Sequence, residues 1–152
     1  MILRSDELEA HQREVAMVDG GFDPIHGGHI AHLREAARLD APLLCNVSGD
    51  DWLTRKHPVF LPQSERAAII DALRWVEYTH VSGIPTVEVL RRLIPRYYVK
   101  GEDWRDRLPP AELAACSELG IEIVYLDTVT NSSSAVLDDY VGRATACRST
   151  AS

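Results

Sequence analysis

Two histidines three residues apart, His26 and His29, have the spacing that most directly suggests chemistry in this chain. They end the stretch Asp19-Gly20-Gly21-Phe22-Asp23-Pro24-Ile25-His26-Gly27-Gly28-His29, in which paired glycines let the backbone turn sharply and approach a ligand. An apolar run precedes the stretch and an amphipathic helical pattern follows it. It therefore lies where a buried strand turns into a helix, and helix N-termini favour anions. The stretch predicts a phosphate site.

The histidines admit three interpretations. As hydrogen-bond donors to a phosphate in transfer, His26 and His29 account for Gly28 between them and for the strand–helix junction. As zinc ligands, His29 and His32 have helical spacing, but no cysteine or third ligand accompanies them at a typical distance along the chain. As helix-start or core histidines they would need no function, and we interpret His32 in that way. We favour phosphate donation for His26 and His29.

Apolar segments alternate with helical patterns along the chain. The predicted strands are Val15–Val18, Leu43–Val47, Tyr78–Val81, Arg96–Val99 and Ile121–Leu126. The predicted helices are Ile30–Leu39, Asp50–Arg55, Gln63–Trp75, Thr86–Ile94, Pro110–Leu119 and Ser133–Val141. This alternation predicts a single α/β domain, with a Rossmann-like, doubly wound, five-stranded parallel sheet and helices on both faces.

Ligands of such sheets bind outside the carboxyl ends of the strands. The glycine–histidine stretch follows the first predicted strand, and residues 48–57, 100–108 and 127–134 follow the second, fourth and fifth. We therefore expect four loops to converge on one edge of the sheet. Residues 1–13 are predicted to be an N-terminal extension and 142–152 a C-terminal tail, both frayed or peripheral to a domain spanning 14–141.

Composition restricts the partners. A net charge of −7 argues against nonspecific nucleic-acid binding, which needs a basic face. No apolar run approaches 18 residues, so we expect no membrane span. Three scattered cysteines and a polar N-terminus without a signal-peptide pattern are typical of a reduced, cytoplasmic protein. Fourteen arginines stand beside only two lysines, Lys56 and Lys100, which draws attention to both.

The sequence resembles the cytidylyltransferase-like nucleotidyltransferases, which include glycerol-3-phosphate cytidylyltransferase and the heptose-1-phosphate adenylyltransferase domain. The stretch Gly20–His29 is similar to their signature, and the resemblance runs from about Glu14 to Tyr140. The further segments that carry it are Asp50-Asp51-Trp52-Leu53-Thr54-Arg55-Lys56, Ser64-Glu65-Arg66, Lys100-Gly101-Glu102-Asp103-Trp104 and Asn131-Ser132-Ser133-Ser134.

The resemblance implies an enzyme that transfers CMP or AMP from CTP or ATP to a small phosphorylated polyol or sugar, with release of pyrophosphate. It implies Mg²⁺ as the cofactor, bound mostly through phosphate oxygens and water rather than protein ligands, and a homodimer. The implied catalytic residues are His26, His29 and Lys56. The implied nucleotide-binding residues are Gly20, Gly21, Phe22, Asp23, Gly28, Arg66, Lys100, Gly101, Asp103, Trp104, Ser132, Ser133 and Ser134.

Phosphoryl transfer depends on positioning and charge stabilisation, which suggests a role for each group. Lys56 would act as a point charge on the phosphates, and Arg66 would fork onto phosphate oxygens. Ser132–Ser134 would offer hydroxyls and helix N-terminal N–H groups, in addition to capping the last helix. Asp103 and Trp104 would flank the base or ribose. Asp50 and Asp51 are interpreted as the start of a short helix rather than as metal ligands.

Two loops depart from the glycerol-phosphate enzymes. Asp127-Thr128-Val129-Thr130 stands where those enzymes carry Arg-Thr-Glu-Gly, and Pro58 stands near the place of their second lysine. The acceptor, and the choice between CTP and ATP, therefore stay open. The absent arginine favours an alternative, a non-catalytic nucleotide-binding or sensing domain of the same fold. A zinc-dependent hydrolase that uses His26 and His29 is the third function class.

Overall fold

The computed structural model describes residues 1–128 and 132–150. In this part of the chain six strands form one parallel sheet: β1 (Ile2–Leu3), β2 (Ala16–Gly20), β3 (Leu43–Ser48), β4 (Tyr78–Ser82), β5 (Tyr97–Gly101) and β6 (Glu122–Leu126). The helices are α1 (Gly27–Ala36), α2 (Asp50–Leu53), α3 (Gln63–Asp71), α4 (Thr86–Leu93), α5 (Pro110–Leu119) and α6 (Ser133–Thr150). Short 3-10 helices occupy Leu8–His11 and Glu102–Trp104.

Side chains of the sheet alternate between two apolar cores, as strand geometry requires. Met17 in β2 and Leu44 in β3 belong to a core that includes α4 and α5 residues such as Leu90. Ala16 and Val18 belong to the opposite core with α1 and α3 residues such as Leu33. Helices therefore cover both faces, which confirms the doubly wound α/β class.

The strand order is β1-β4-β3-β2-β5-β6, and all neighbouring strands are parallel. The order reverses at β2, because β3 follows it on one side and β5 pairs with it on the other. The connections that leave β2 and β5 pass to opposite faces of the sheet. A crevice opens at such a reversal, at the carboxyl ends of the strands.

The prediction of five strands was one short. Ile2 and Leu3 pair with Thr79 and His80 of β4, so the N-terminal segment that we expected to be frayed or peripheral extends the sheet. Leu8 in the following 3-10 helix is fully buried. A two-residue strand shows no alternation of apolar and polar residues, so the sequence carried no signal for it.

Several helix boundaries differ from the predicted ones for local reasons. α1 begins at Gly27 rather than Ile30 because His26 caps it. α4 ends before Ile94, whose φ of 42° is left-handed. α6 continues to Thr150, beyond the predicted end at Val141. None of the helices in the described ranges is long and apolar enough to cross a membrane.

The burial of Leu8 predicts a stability effect that would be absent if the N-terminus were frayed. Leu8→Ala should lower the free energy of unfolding by about 2–4 kcal/mol, because it leaves a cavity in a closed core. Ile2→Ala, at a half-exposed position of β1, serves as the matched control and should cost less than about 1 kcal/mol. Urea unfolding measures both, and equal small effects would contradict the burial.

Candidate functional site

A cleft of about 390 Å³ opens at the carboxyl ends of β2, β3 and β5, where the strand order reverses. It contains most of the residues singled out from the sequence, which come from all four expected loops. The predicted residues that line it are Gly20, Gly21, Phe22, His26, Gly28, His29, Lys56, Lys100, Gly101, Asp103, Trp104, Ser132 and Ser133. Asp23, Arg66 and Ser134 are not among its described lining residues.

His26 and His29 cap helix α1 with their rings. The Gly28 N–H donates to Nδ1 of His26 over 3.1 Å, and the His26 N–H donates to Nδ1 of His29 over 3.3 Å. The two rings stack with centroids 3.8 Å apart. Two backbone N–H groups that a helix start would leave unpaired are thus satisfied by imidazole nitrogens.

These bonds fix the chemistry of both rings. A nitrogen that accepts a hydrogen bond carries no proton, so each neutral imidazole holds its proton on Nε2. Nε2 of His26 is buried and has no partner among the described atoms. Burial lowers the pKa of His26, and burial with the nearby His26 and His32 lowers the pKa of His29 to about 4. At neutral pH both rings are therefore uncharged and carry their proton on Nε2.

Phe22 and His32 support the histidines from the sides. Phe22 has a left-handed φ of 50° and a buried ring that meets His29 edge-on, with centroids 5.0 Å apart. His32 lines the cleft one turn further along α1, and its Nδ1 lies 2.9 Å from Oγ1 of Thr128. A Cβ on Gly21 would lie 2.9 Å from Cδ1 of Leu53, so a side chain at this turn would require the Leu53 side chain to shift.

Asp23, predicted to bind nucleotide, holds the chain below the cleft instead. It is buried, and its two carboxylate oxygens accept the backbone N–H groups of Phe60 and Leu61 over 2.8 and 2.7 Å. These bonds connect the β2–α1 turn to the loop that follows Lys56. Asp23 therefore positions two walls of the cleft rather than a ligand.

Arg66, predicted to fork onto phosphate, is 1% exposed and bound within the protein. Its guanidinium donates to the carbonyl oxygens of Leu61, Gly21 and Ser48, and over 2.7 Å to Oδ1 of Asp50. These contacts do not support phosphate binding by Arg66. They place a buried cation under the loops that follow β2 and β3, and they give Asp50 a structural role as well.

Lys56 and the start of α6 also line the cleft. Lys56 is exposed at the cleft, and no ion pair of its side chain is seen within the described residues. Ser132 caps α6 by accepting the Ala135 N–H over 3.2 Å, and Ser133 donates to the carbonyl oxygen of Pro24 over 2.9 Å. The helix N-terminus thus lies beside the histidine turn. Val129 and Thr130 of the departing loop, and Asn131 of the segment that resembles the family, lie outside the described residues.

Sequence reasoning missed an ionic network at the cleft floor. Asp19, at the end of β2, accepts hydrogen bonds from Lys100 Nζ over 2.9 Å, Tyr98 OH over 3.1 Å and Thr86 Oγ1 over 3.2 Å. Lys100 is 8% exposed, and its ammonium lies 4.4 Å from the centroid of the Trp104 ring. Asp19 is about 80 residues from Tyr98 and Lys100 along the chain, and the pairing of β2 with β5 brings the three side chains together.

Glu112, from α5, completes this network. The Tyr98 hydroxyl lies 2.9 Å from Oε2 of Glu112 as well as beside Asp19, so one phenol contacts two carboxyl groups. Burial and the charge of Asp19 raise the pKa of Glu112. No group of three or more His, Cys, Asp or Glu side chains suited to a metal ion occurs in the part of the chain that the structure describes.

Comparisons with known proteins agree with this arrangement. A sequence model of the cytidylyltransferase-like family matches residues 17–135, which include the histidine turn, Lys56, Lys100 and the start of α6. The chain belongs to the cytidylyltransferase-like family. The resemblance noted from the motifs is thereby confirmed for the family, and the match covers the whole of the cleft-forming sheet from β2 onward.

Relatives and solved structures extend this result. The bifunctional protein HldE of Gluconobacter oxydans is 34% identical over 128 residues, covering 81% of this chain and 26% of that protein. The same-named protein of Helicobacter pylori strain Shi470 is 29% identical over 107 residues, 67% of this chain and 23% of that protein. The chain thus spans about a quarter of the length of these curated relatives.

Among solved structures, a lipopolysaccharide core biosynthesis protein from Thermoplasma volcanium superimposes with a TM-score of 0.64 and 25% identity, covering 76% of this chain and 97% of that chain. Pantothenate synthetase from Thermus thermophilus has a TM-score of 0.57 at 16% identity, covering 82% of this chain and 60% of that one. The second likeness concerns the fold alone.

Histidine capping predicts a pH dependence of stability. The unfolded chain binds a proton at a histidine pKa near 6.5, whereas folded His29 binds one only near pH 4. Between these values the unfolded state binds more protons, so the free energy of unfolding should fall as the pH drops from 6.5 to 4, by about 2–3 kcal/mol for this residue. Protonated Nδ1 can no longer accept the His26 N–H.

Chemical denaturation at several pH values, compared with His29→Asn, checks this. The amide oxygen of asparagine accepts a hydrogen bond without titrating, so the variant should lose less stability over the same interval. His26, His32 and His80, whose pKa values are also lowered by burial, contribute to the remaining slope. Parallel pH profiles for the two proteins would contradict the capping role.

Arg66 predicts a second stability effect. Arg66→Met should lower the free energy of unfolding by about 3–5 kcal/mol, because it leaves three carbonyl oxygens and Asp50 without their buried donor. Arg38→Met, at an exposed surface pair with Glu35, is the control and should cost less than about 1 kcal/mol. Thermal or urea unfolding measures both, and a small effect at Arg66 would reopen its assignment as a ligand residue.

Proposed function

We propose that this protein is a nucleotidyltransferase that transfers AMP or CMP from ATP or CTP to a small phosphorylated sugar or polyol, releasing pyrophosphate. The observation that carries the proposal is the pair of stacked, neutral imidazoles whose Nδ1 atoms are committed to the helix start. Their Nε2–H groups are left for a ligand in a cleft at the strand-order reversal. Membership of the cytidylyltransferase-like family supports the same reaction class.

In this reaction an oxygen of the acceptor phosphate attacks the α-phosphorus of the nucleoside triphosphate. A bond forms between them, and the bond to the bridging oxygen of pyrophosphate breaks. Negative charge grows on the oxygens around the α-phosphorus and on the leaving group. Fixed Nε2–H donors of His26 and His29 stabilise that charge without reorganising, because the capping bonds already hold the rings.

Lys56 and the N-terminus of α6 extend the anion-binding surface on both sides of the histidines. The Lys56 ammonium is a mobile point charge suited to an incoming phosphate. Backbone N–H groups at the start of α6 suit the β- and γ-phosphates, since a helix N-terminus attracts anions. Trp104 and Asp103 stand beside the same cleft, where a ring face and a carboxylate suit a base and ribose hydroxyls.

The cleft also fits Mg²⁺ held mainly by phosphate oxygens and water. Asp103 is the exposed carboxylate at the cleft, whereas Asp19 is already engaged by Lys100, Tyr98 and Thr86. Mg²⁺ usually keeps several waters and needs only one or two carboxylates beside substrate phosphates. When bound, it would offset the charge of the triphosphate, and Asp103 is the residue placed to meet it.

The decisive experiment removes Nε2 while preserving the helix cap. His26→Asn and His29→Asn each keep a hydrogen-bond acceptor near Nδ1 and lose the Nε2–H donor. We expect each to lower the rate of pyrophosphate release at least 100-fold, with ATP or CTP, Mg²⁺ and a panel of sugar and polyol phosphates. The free energy of unfolding should change by less than about 1 kcal/mol.

His11→Gln is the matched control. His11 packs against Tyr78 at the amino end of β4, the edge of the sheet opposite to the cleft, so the variant should keep full activity. Near-normal release by either asparagine variant would overturn the proposal. Tight nucleotide binding by the wild type without release across the whole panel would favour the alternative, a sensing domain.

A further inference from the structure

The cleft joins two halves of different chemistry. One half holds the histidines of α1 and the N-terminus of α6, and it suits phosphates. The other half is built from the opposite face of the sheet, where Thr86 begins α4, Tyr98 lies in β5 and Glu112 lies in α5. No step of the proposed transfer uses Glu112, although its side chain lines the cleft.

The number of available protons indicates which of the two carboxyl groups that contact Tyr98 is ionised and which is protonated. The phenol has one proton, and it meets Asp19 at 3.1 Å and Glu112 at 2.9 Å. Asp19 also receives the Lys100 ammonium and the Thr86 hydroxyl, so its negative charge is well compensated. Glu112 makes its hydrogen bond with Tyr98, and its pKa is raised. The arrangement is satisfied when Glu112 keeps its proton and donates to Tyr98, which donates to Asp19.

Lys56 connects this half to the phosphate half. Lys56 and Glu112 line the same cleft, and the charge of Lys56 is the smallest of the effects on the pKa of Glu112. A phosphate ester held by Lys56 for attack at the histidines would have its carbon skeleton in the cleft that Glu112 lines.

We propose that Glu112, held in place by Tyr98, reads the carbon skeleton of the acceptor and selects skeletons that carry hydroxyl groups. This inference rests on the proposed function for the identity of the ligand as an acceptor. With its proton donated to Tyr98, the carboxyl group of Glu112 offers an accepting oxygen to the cleft, which a hydroxyl group of a ligand can meet as donor. An ammonium group only donates and requires an ionised carboxylate, which burial and Asp19 oppose at this position.

Binding of simple phosphate esters tests the proposal without turnover. Calorimetry would give the dissociation constants of glycerol 3-phosphate, mannose 1-phosphate, ethyl phosphate and phosphoethanolamine for the full chain. The wild type should bind the two hydroxylated esters about tenfold more tightly than the other two. Glu112→Leu should erase that preference and leave ethyl phosphate within twofold, because ethyl phosphate has no hydroxyl group for Glu112 to contact.

Two further variants separate recognition from folding. Glu112→Gln keeps a donor and an acceptor and should stay within about threefold of the wild type for the hydroxylated esters. Glu118→Leu changes an exposed glutamate of the same helix, paired with Arg91 outside the cleft, and should change no affinity.

Several outcomes would overturn the assignment: no preference for the hydroxylated esters, an equal loss of all four esters in Glu112→Leu, or tighter binding of phosphoethanolamine through Glu112. Weakened ATP or CTP binding in Glu112→Leu, with ester binding unchanged, would instead place the residue at the ribose. If the affinities come out as expected and no ester supports pyrophosphate release, the transfer function fails while the assignment of Glu112 stands. If pyrophosphate is released but Glu112→Leu changes no ester affinity, the transfer function stands and the assignment of Glu112 fails.

Discussion

The reversal of strand order around β2 is the constraint on which the rest of the structure depends. β2 pairs with β3 on one side and β5 on the other, and the chain leaves these strands toward opposite faces of the sheet. The loops at their carboxyl ends must diverge, and the cleft is the space between them. The same pairing brings Asp19 next to Lys100, which closes the floor of that space with a buried ion pair.

The histidine turn uses one set of side chains for two tasks. The Nδ1 atoms of His26 and His29 complete the start of α1, which leaves the proton of each neutral ring on Nε2, the atom proposed to meet a ligand. A catalytic donor needs a fixed direction and a fixed protonation state, and the capping bonds supply both. When the start of α1 folds, the direction and the protonation state of both rings are therefore set at the same time. An alanine at either position removes the helix cap and the Nε2–H donor together, whereas an asparagine keeps an acceptor for the cap and removes only the donor.

Much of this arrangement could be predicted from the sequence because its signals are local. Alternating apolar runs identified five of the six strands, and the glycines and histidines identified the turn that lines the cleft. Arg66 shows where local reasoning stops, since a cation near a phosphate motif was assigned to the ligand and instead binds three carbonyl groups and Asp50. Asp19 and Glu112 were missed because their roles depend on Tyr98, 79 and 14 residues away along the chain.

The difference between local sequence signals and long-range contacts also explains why motif resemblance specifies the reaction class better than the acceptor. The residues that resemble the family signature lie on β2 and α1, where the chemistry at phosphorus would occur. Glu112, the residue proposed to contact the acceptor skeleton, lies on α5 across the sheet and outside every motif that carried the resemblance. A change at the acceptor half leaves the histidine cap intact, because the two halves belong to separate apolar cores. Acceptor choice can therefore diverge among proteins of this fold while the phosphate-binding half is kept.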